Sequence, residues 1–224
     1  IIPTHNRPQL LCRAIKSVMD QTFADWELLV VQNGGTRESE AVVAEFRDPR
    51  IRYLYESRAG AVDARNLGIQ RSRGPYVAFL DDDDEWLPAK LERQVAVLDG
   101  NQNTGLVTCR GWLMDQSGNV LAEIPSKFNG TPTLVELVTR GNVIYSLSSV
   151  LIRRAWFGRI GLFNRRYAIA DDYEFYLRLA SVTQFQFIEK PLFRYHRNNT
   201  SASLDRVKTG REIVAAIQAA GWED

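Results

Sequence analysis

Tyr76-Val77-Ala78-Phe79-Leu80-Asp81-Asp82-Asp83-Asp84-Glu85-Trp86 is the stretch on which the reading of this chain turns. Five apolar residues run without alternation, as in a strand whose two faces are both covered. Four aspartates and a glutamate follow at once. In an open parallel sheet, ligands bind beyond the carboxyl ends of the strands, so these carboxylates stand on the ligand-binding edge. Packed so closely they repel one another unless a cation sits among them. Oxygen-rich clusters of this kind suit Mg²⁺ or Mn²⁺, with phosphate supplying the remaining ligands. An acidic run can also simply cap the helix that follows, since negative charge is favourable near a helix N-terminus. Its place directly after a buried strand weighs against that simpler reading.

Upstream, short apolar runs alternate with amphipathic helical patterns. Ile1-Ile2 reads as the end of a strand. Pro8 suits the first turn of a helix, and Leu10, Leu11, Ala14, Ile15 and Val18 follow on one face. A strand is expected over 26–31, a helix over 37–46, a strand over 51–56 and a helix over 61–72. Pro88 opens a further helix, with Leu91, Val95 and Leu98 on one face. This βαβαβαβα order is that of a parallel, doubly wound sheet. Downstream the pattern is mixed. Residues 106–114 and 120–124 flank the turn-rich Asp115-Gln116-Ser117-Gly118-Asn119, which predicts an antiparallel hairpin. Helices near 133–139 and 171–181 interleave with strands near 145–152 and 185–195, and a last helix runs over 205–219. The expectation is α/β, one mixed domain over 1–224.

Composition excludes several classes. Lys and Arg number 28 against 27 Asp and Glu, a formal net charge of +1, so a broadly basic nucleic-acid binder is ruled out. Hydrophobic residues make up 45% and charged residues 25%, as in ordinary globular proteins rather than disordered or fibrous ones. No apolar run approaches the ~18 residues that cross a bilayer. Cys12 and Cys109 lie far apart and form no CxxC pair, which reads as two reduced thiols. The chain opens at Ile1 without a methionine, so the natural start is expected to lie further upstream. The triplets Asn129-Gly130-Thr131 and Asn198-Asn199-Thr200 fit a glycosylation sequon and are read as chance. There is no GxxxxGK[ST] loop, no GxGxxG after the first strand, no HExxH and no GxSxG. With only His5 and His196, a histidine-rich zinc site is excluded too.

Four segments, in order, carry a resemblance. They are Ile1-Ile2-Pro3-Thr4-His5-Asn6-Arg7-Pro8, then Ser17-Val18-Met19-Asp20-Gln21-Thr22-Phe23 with Trp26-Glu27-Leu28, then Ala64-Arg65-Asn66-Leu67-Gly68-Ile69, then Phe79-Leu80-Asp81-Asp82-Asp83-Asp84. Over essentially all its length the chain resembles family 2 glycosyltransferases of the GT-A fold. That fold is a Rossmann-like, mostly parallel sheet flanked by helices, with a mixed second half. The resemblance implies a donor half over 1–100 and an acceptor half over 101–224. It implies inverting, metal-dependent transfer from a nucleotide-diphosphate sugar, a UDP-sugar first, to an acceptor hydroxyl on a saccharide or a lipid-linked sugar. A cytoplasmic setting follows, at most peripheral to the inner face of the membrane, with no basic amphipathic helix to argue for contact.

The same resemblance assigns residues. Asp83 matches the metal-binding aspartate of the DxD motif, with Mg²⁺ or Mn²⁺ as cofactor. Asp81 and Asp82 face the ribose or support the metal through water, and sequence does not separate them. Pro3, Thr4, Arg7 and Asn33 would line the base pocket, although many relatives carry aspartate where Asn33 stands. Arg65 is a cation near the nucleotide, or else a salt-bridge partner of Glu56 or Asp63. Gly161-Leu162-Phe163-Asn164 and Ala170-Asp171-Asp172-Tyr173-Glu174-Phe175-Tyr176-Leu177-Arg178 resemble the acid pair and its helix, with Asp-Asp in place of the usual Glu-Asp. By the spacing to Arg178, Asp172 corresponds to the base, and Asp171 orients the acceptor side. Phe175 and Leu179 share a core face. Arg194-Tyr195-His196-Arg197, with Ser201 and Ser203, resembles the closing motif, in which His196 completes the metal shell or meets the diphosphate. Trp112 and Trp156 are candidates to stack on sugars, or are buried aromatics. Two other functions fit the same sheet. A nucleotidyltransferase lacks support, because 3–8 carries no glycine- and lysine-rich loop. A degenerate nucleotide-sugar-binding module would not need the retained acid pair.

Overall fold

Pro8 opens α1 (Pro8–Met19), where its missing N–H is one the helix would leave unpaired anyway. Leu11, Ala14, Ile15 and Val18 are buried along the face that the spacing predicts. The computed structural model describes residues 1–125, 132–197 and 206–219. Both sequons and Ser201 and Ser203 lie outside the described residues.

Strands β1 (Ile2–Thr4), β2 (Leu28–Asn33) and β3 (Ile51–Glu56) form a parallel sheet in that order, with Ile2 opposite Val30 and Val30 opposite Tyr53. Every residue of β2 is buried, the apolar run over 28–31 because both sheet faces are covered, and Gln32 and Asn33 at its end as well. Helices α1 and α2 (Glu38–Glu45) make the sheet's crossovers, and α3 (Ala61–Arg71) leads on from β3. Strand β4 (Tyr76–Ala78) then lies against the start of the chain, where the Ile1 amine donates to the Ala78 carbonyl at 2.9 Å and the Leu80 N–H to the Ile1 carbonyl at 3.0 Å.

Beyond β4 the sheet changes character. A two-residue strand β5 (Glu85–Trp86) and helix α4 (Lys90–Gly100) precede the long β6 (Thr104–Met114) and β7 (Val120–Ile124). Helix α5 (Leu134–Arg140), a single 3-10 turn (Leu147–Ser149), β8 (Leu151–Arg153), α6 (Ala155–Ile160), α7 (Asp171–Ala180), β9 (Gln184–His196) and α8 (Arg206–Ala219) follow. The second sheet has the order β4-β8-β6-β9-β5, with β7 paired to β6. The β6–β7 hairpin is the one expected, closed by Asp115 and Asn119.

Three expectations are corrected. The fourth strand stops at Ala78, although Phe79 and Leu80 remain fully buried, and its partner β8 runs antiparallel. Most of 145–152 is not strand: Ser146 accepts the Ser148 N–H through its hydroxyl and winds the backbone into a 3-10 turn first. The helix after Pro88 starts at Lys90.

Two apolar clusters flank the sheets. One gathers Phe79, Phe157, Phe163 and Phe175, with Phe157 and Phe175 stacked at 5.0 Å between ring centres, and includes Leu179 as expected. The other packs α1 and α4 against the opposite side through Leu11, Ile15, Trp86 and Leu98. Trp156 is partly buried against the first cluster beneath Arg159, and Trp112 is half-buried in β6 opposite Arg194. Cys12 and Cys109 are both free thiols. Among the described residues no helix is long and apolar enough to cross a membrane. A cavity of about 500 Å³, lined by Phe23, Trp26, Leu29, Tyr76 and Val95 among others, lies by the N-terminal ends of β2 and β4, at the edge away from the acidic run.

Candidate active site: an acidic turn beside an acid pair

The four aspartates after β4 form a tight turn, closed by the Asp84 N–H donating to the Asp81 carbonyl at 3.0 Å. Their side chains alternate. Those of Asp81 and Asp83 keep 33% and 20% of their surface open, whereas that of Asp82 keeps 7%. Asp84 is buried outright. The DxD spacing is therefore the spacing of the two outward carboxylates, which separates Asp81 from Asp82 as the sequence could not. Asp82 turns inward, where its carboxylate accepts the Thr4 hydroxyl at 2.8 Å and Arg7 at 3.2 Å. Burial pushes its pKa up to about 6 against the pull of those two partners. Asp84 accepts the Ser148 hydroxyl at 2.6 Å and the His196 backbone N–H at 3.1 Å. Burial, with Asp81 and Asp83 nearby, raises it well above the ordinary carboxylate range.

Hard oxygen donors under mutual repulsion are what a divalent cation relieves, so the residues fit Mg²⁺ or Mn²⁺. Among the described residues no three His, Cys, Asp or Glu side chains converge as a ready metal cage. A cation here would draw most of its ligands from a bound phosphate and water. The His196 Nε2 pairs with Glu85 at 2.8 Å, and Glu85 is held below its usual range chiefly by that bond.

The expected base pocket closes inward. Pro3 and Thr4 are buried in β1. The Asn33 amide donates to the Thr4 carbonyl at 3.2 Å, and its oxygen accepts the Gly60 N–H at 3.3 Å. Asn33 thus ties the loops after β1 and β2 to the start of α3. Of this group, Arg7 remains substantially open, its guanidinium 3.3 Å from Asp83. Gln32, near the end of β2, reaches Asn6 and Gly34 at 3.2 Å each and braces both loops. Gly34 and Gly35 hold φ of +63° and +70° there, a region glycine enters without strain.

Arg65 joins the two acidic groups. Its guanidinium meets Asp171 at 2.8 Å and Asp81 at 3.2 Å, so neither Glu56 nor Asp63 is its partner. Burial works against its charge, but the aspartates on both sides raise its pKa above the ordinary value. Asp171 is buried under this clamp. Asp172 accepts the Tyr173 N–H at 2.6 Å and the Asn142 amide at 3.2 Å. The Asn142 oxygen takes the Ile144 N–H at 3.1 Å, which fixes the amide's orientation. Burial and then Asp171 push the Asp172 carboxyl up to about 7, with Arg65 opposing. The loop before α7 is held by its own motif. Asn66 exchanges two hydrogen bonds with the Phe163 backbone, at 2.9 and 3.0 Å. Arg178 pairs with Glu174 and reaches the Ile160 and Leu162 carbonyls.

A parallel β1–β3 half, a mixed second sheet and outward carboxylates at the strand ends define a GT-A fold. TarS of S. aureus, solved with UDP-GlcNAc, matches 99% of the chain and 66% of its own at a TM-score of 0.75 and 18% identity. The mannosyltransferase PcManGT of Pyrobaculum calidifontis, solved with GDP-Man and Mn²⁺, matches 100% of the chain and 63% of its own, with a TM-score of 0.72 and 16% identity. The chain belongs to glycosyl transferase family 2, whose family model matches residues 1–161. An uncharacterized glycosyltransferase of Rickettsia conorii is 29% identical over 91% of the chain, which spans 35% of that protein's length. The colanic acid biosynthesis glycosyl transferase WcaA of Escherichia coli, itself named as putative, is 31% identical over 80% of the chain and 64% of its own length. The Escherichia coli glucosyltransferase WfgD, which by its name acts from UDP-Glc on GlcNAc-diphosphoundecaprenol, is 39% identical over 45% of the chain and 39% of its own length.

Proposed function

We propose that this protein transfers a sugar from a nucleotide-diphosphate sugar, with a UDP-sugar as first choice, to an acceptor hydroxyl with inversion at the anomeric carbon. The observation that carries the reading is the bridge made by Arg65. One buried guanidinium holds an outward aspartate of the donor-side turn, Asp81, beside the acid pair of α7. The donor diphosphate lies against the acidic turn, and Arg7 offers it an open guanidinium. Asp83 would hold Mg²⁺ or Mn²⁺, which would supply positive charge against the diphosphate oxygens.

Asp172 is the base. A carboxyl lifted to about 7 is ionised in part at neutral pH and accepts a proton readily, as a general base requires. Asn142 and the Tyr173 N–H orient it toward the acceptor hydroxyl. Asp171, neutralised by Arg65, fixes the start of α7 on the acceptor side. Residues 1–100 supply most of the donor site and 101–224 the acceptor site within one unit. The acceptor is a saccharide or a lipid-linked sugar, as in the name of WfgD, and a lipid-linked one would place the protein at the inner face of the membrane.

Labelled UDP-glucose, UDP-GlcNAc and GDP-mannose, each with Mn²⁺ or with EDTA, test the reading. The expected outcome is Mn²⁺-dependent release of nucleoside diphosphate from one donor. Saturable binding without release would make the protein a nucleotide-sugar-binding module instead.

A further inference from the structure

The second half of the chain reaches into the acidic turn at Ser148, a fully buried residue of the 3-10 turn Leu147–Ser149. Its backbone is fixed from two sides. The Ser148 N–H donates to the Ser146 hydroxyl at 3.0 Å, and its carbonyl accepts the Trp86 indole N–H at 2.8 Å. The side chain is thereby delivered to one place. There its oxygen accepts the Asp81 N–H at 3.1 Å and donates to Asp84 Oδ2 at 2.6 Å. A single hydroxyl thus ties the first aspartate of the turn to the last.

We propose that Ser148 is a positioning residue for the outward carboxylates: by clipping both ends of the turn it keeps Asp84 inside and leaves Asp81 and Asp83 facing a divalent cation and diphosphate oxygens. The inference rests on the donor-site reading given above. The chemistry required is narrow, because one atom must accept from an amide and donate to a carboxylate, and a hydroxyl does both. Removing it leaves the Asp81 N–H and one oxygen of buried Asp84 without partners. Such groups are costly inside a protein, so the turn reopens toward water and the alternation is lost. In this arrangement Asp84 is an anchor and not a metal ligand, and its other oxygen is held by the His196 N–H.

Calorimetric titration with UDP and with GDP, each with Mn²⁺ and with EDTA, tests the inference on wild type, Ser148→Ala and Ser148→Cys. Cysteine keeps roughly the volume but is a weak donor and acceptor. Both variants are expected to lose the Mn²⁺-dependent gain in nucleotide affinity by roughly 10–100-fold, the usual effect of removing a group that orients a ligand. Their affinity in EDTA should stay at the wild-type level and their thermal unfolding should stay cooperative. A full Mn²⁺ gain in the folded variants would overturn the inference while leaving the donor-site reading intact. Equal weakening with Mn²⁺ and with EDTA, or loss of cooperative unfolding in both variants, would assign Ser148 to the core and overturn it as well. A wild type that gains nothing from Mn²⁺ would instead sink the metal reading, and the inference with it.

Discussion

Asp172 stands under opposed influences: burial and Asp171 favour its neutral form, while Arg65, the Tyr173 N–H and the Asn142 amide favour its charge. The result, about 7, has a kinetic consequence with a definite sign. A base works only when ionised, so turnover should rise with pH through about 7 and level off above it. Asp172→Asn removes the proton acceptor but keeps the shape. Turnover should fall by roughly 10²–10⁴-fold, the usual worth of a positioned base, with nucleotide affinity unchanged. A rate-against-pH series on wild type and one titration on the variant decide it, and near-normal transfer would move the search to Asp171 or Glu174. Asp83 makes a separate claim. Asp83→Ala should abolish the Mn²⁺ enhancement of nucleotide binding while leaving binding in EDTA, and a persistent enhancement would remove Asp83 from the metal.

At the scale of elements, the pairing of β6 with β9 brings the end of the second half to the acidic turn. Gly111 faces Phe193 across that pair, and its own neighbour in register, Trp112, faces Arg194. A Cβ at Gly111 would stand 2.4 Å from the Phe193 ring, so the glycine is required by close approach and not by backbone angle. Gly111→Ala should therefore cost about 1–3 kcal/mol, the range of overpacked cores, read as a lower urea midpoint. A variant with the wild-type midpoint would mean that the Phe193 ring has room to swing. The same strand pair sets His196 on Glu85 and its N–H on Asp84, so loosening it should also weaken nucleotide binding.

At the scale of the whole molecule, Arg65 connects parts of the chain 106 residues apart. Buried ion pairs seldom add much net stability, but removing one partner strands the other charge. Arg65→Met should cost about 3–5 kcal/mol in chemical denaturation, since Asp171 is left buried without its counter-charge. Adding Asp171→Asn to it should recover part of that loss, which a double-mutant cycle measures. Additive losses would show that the two side chains do not interact. The clamp also holds three parts of the fold together: α3, the acidic turn and α7 share one guanidinium.

What local chemistry specifies was legible without coordinates. The strand at Ile51–Glu56, the face of α1 behind Pro8, the turn between β6 and β7, the start of α7 at Asp171 and the acidic run after a buried strand all follow from the residues themselves. Each depends on spacing, on a proline ring or on charge crowded within a few positions. What depends on partners far along the chain was not legible. Asp81 and Asp82 look alike in sequence, and Thr4, 78 residues from Asp82, draws the second one inward. Asn33 reads as a base-pocket residue, and only the fold shows Gly60 and the Thr4 carbonyl taking both ends of its amide. Ser148 carries no signal at all, because a serine becomes a clip only when the turn it closes is brought to it from 64 and 67 residues away. The sequence determined which groups the site contains. Tertiary structure decided which of them face outward, because burial and hydrogen bonding act on a carboxylate through its neighbours in space, and those neighbours are set by the closing of the whole chain.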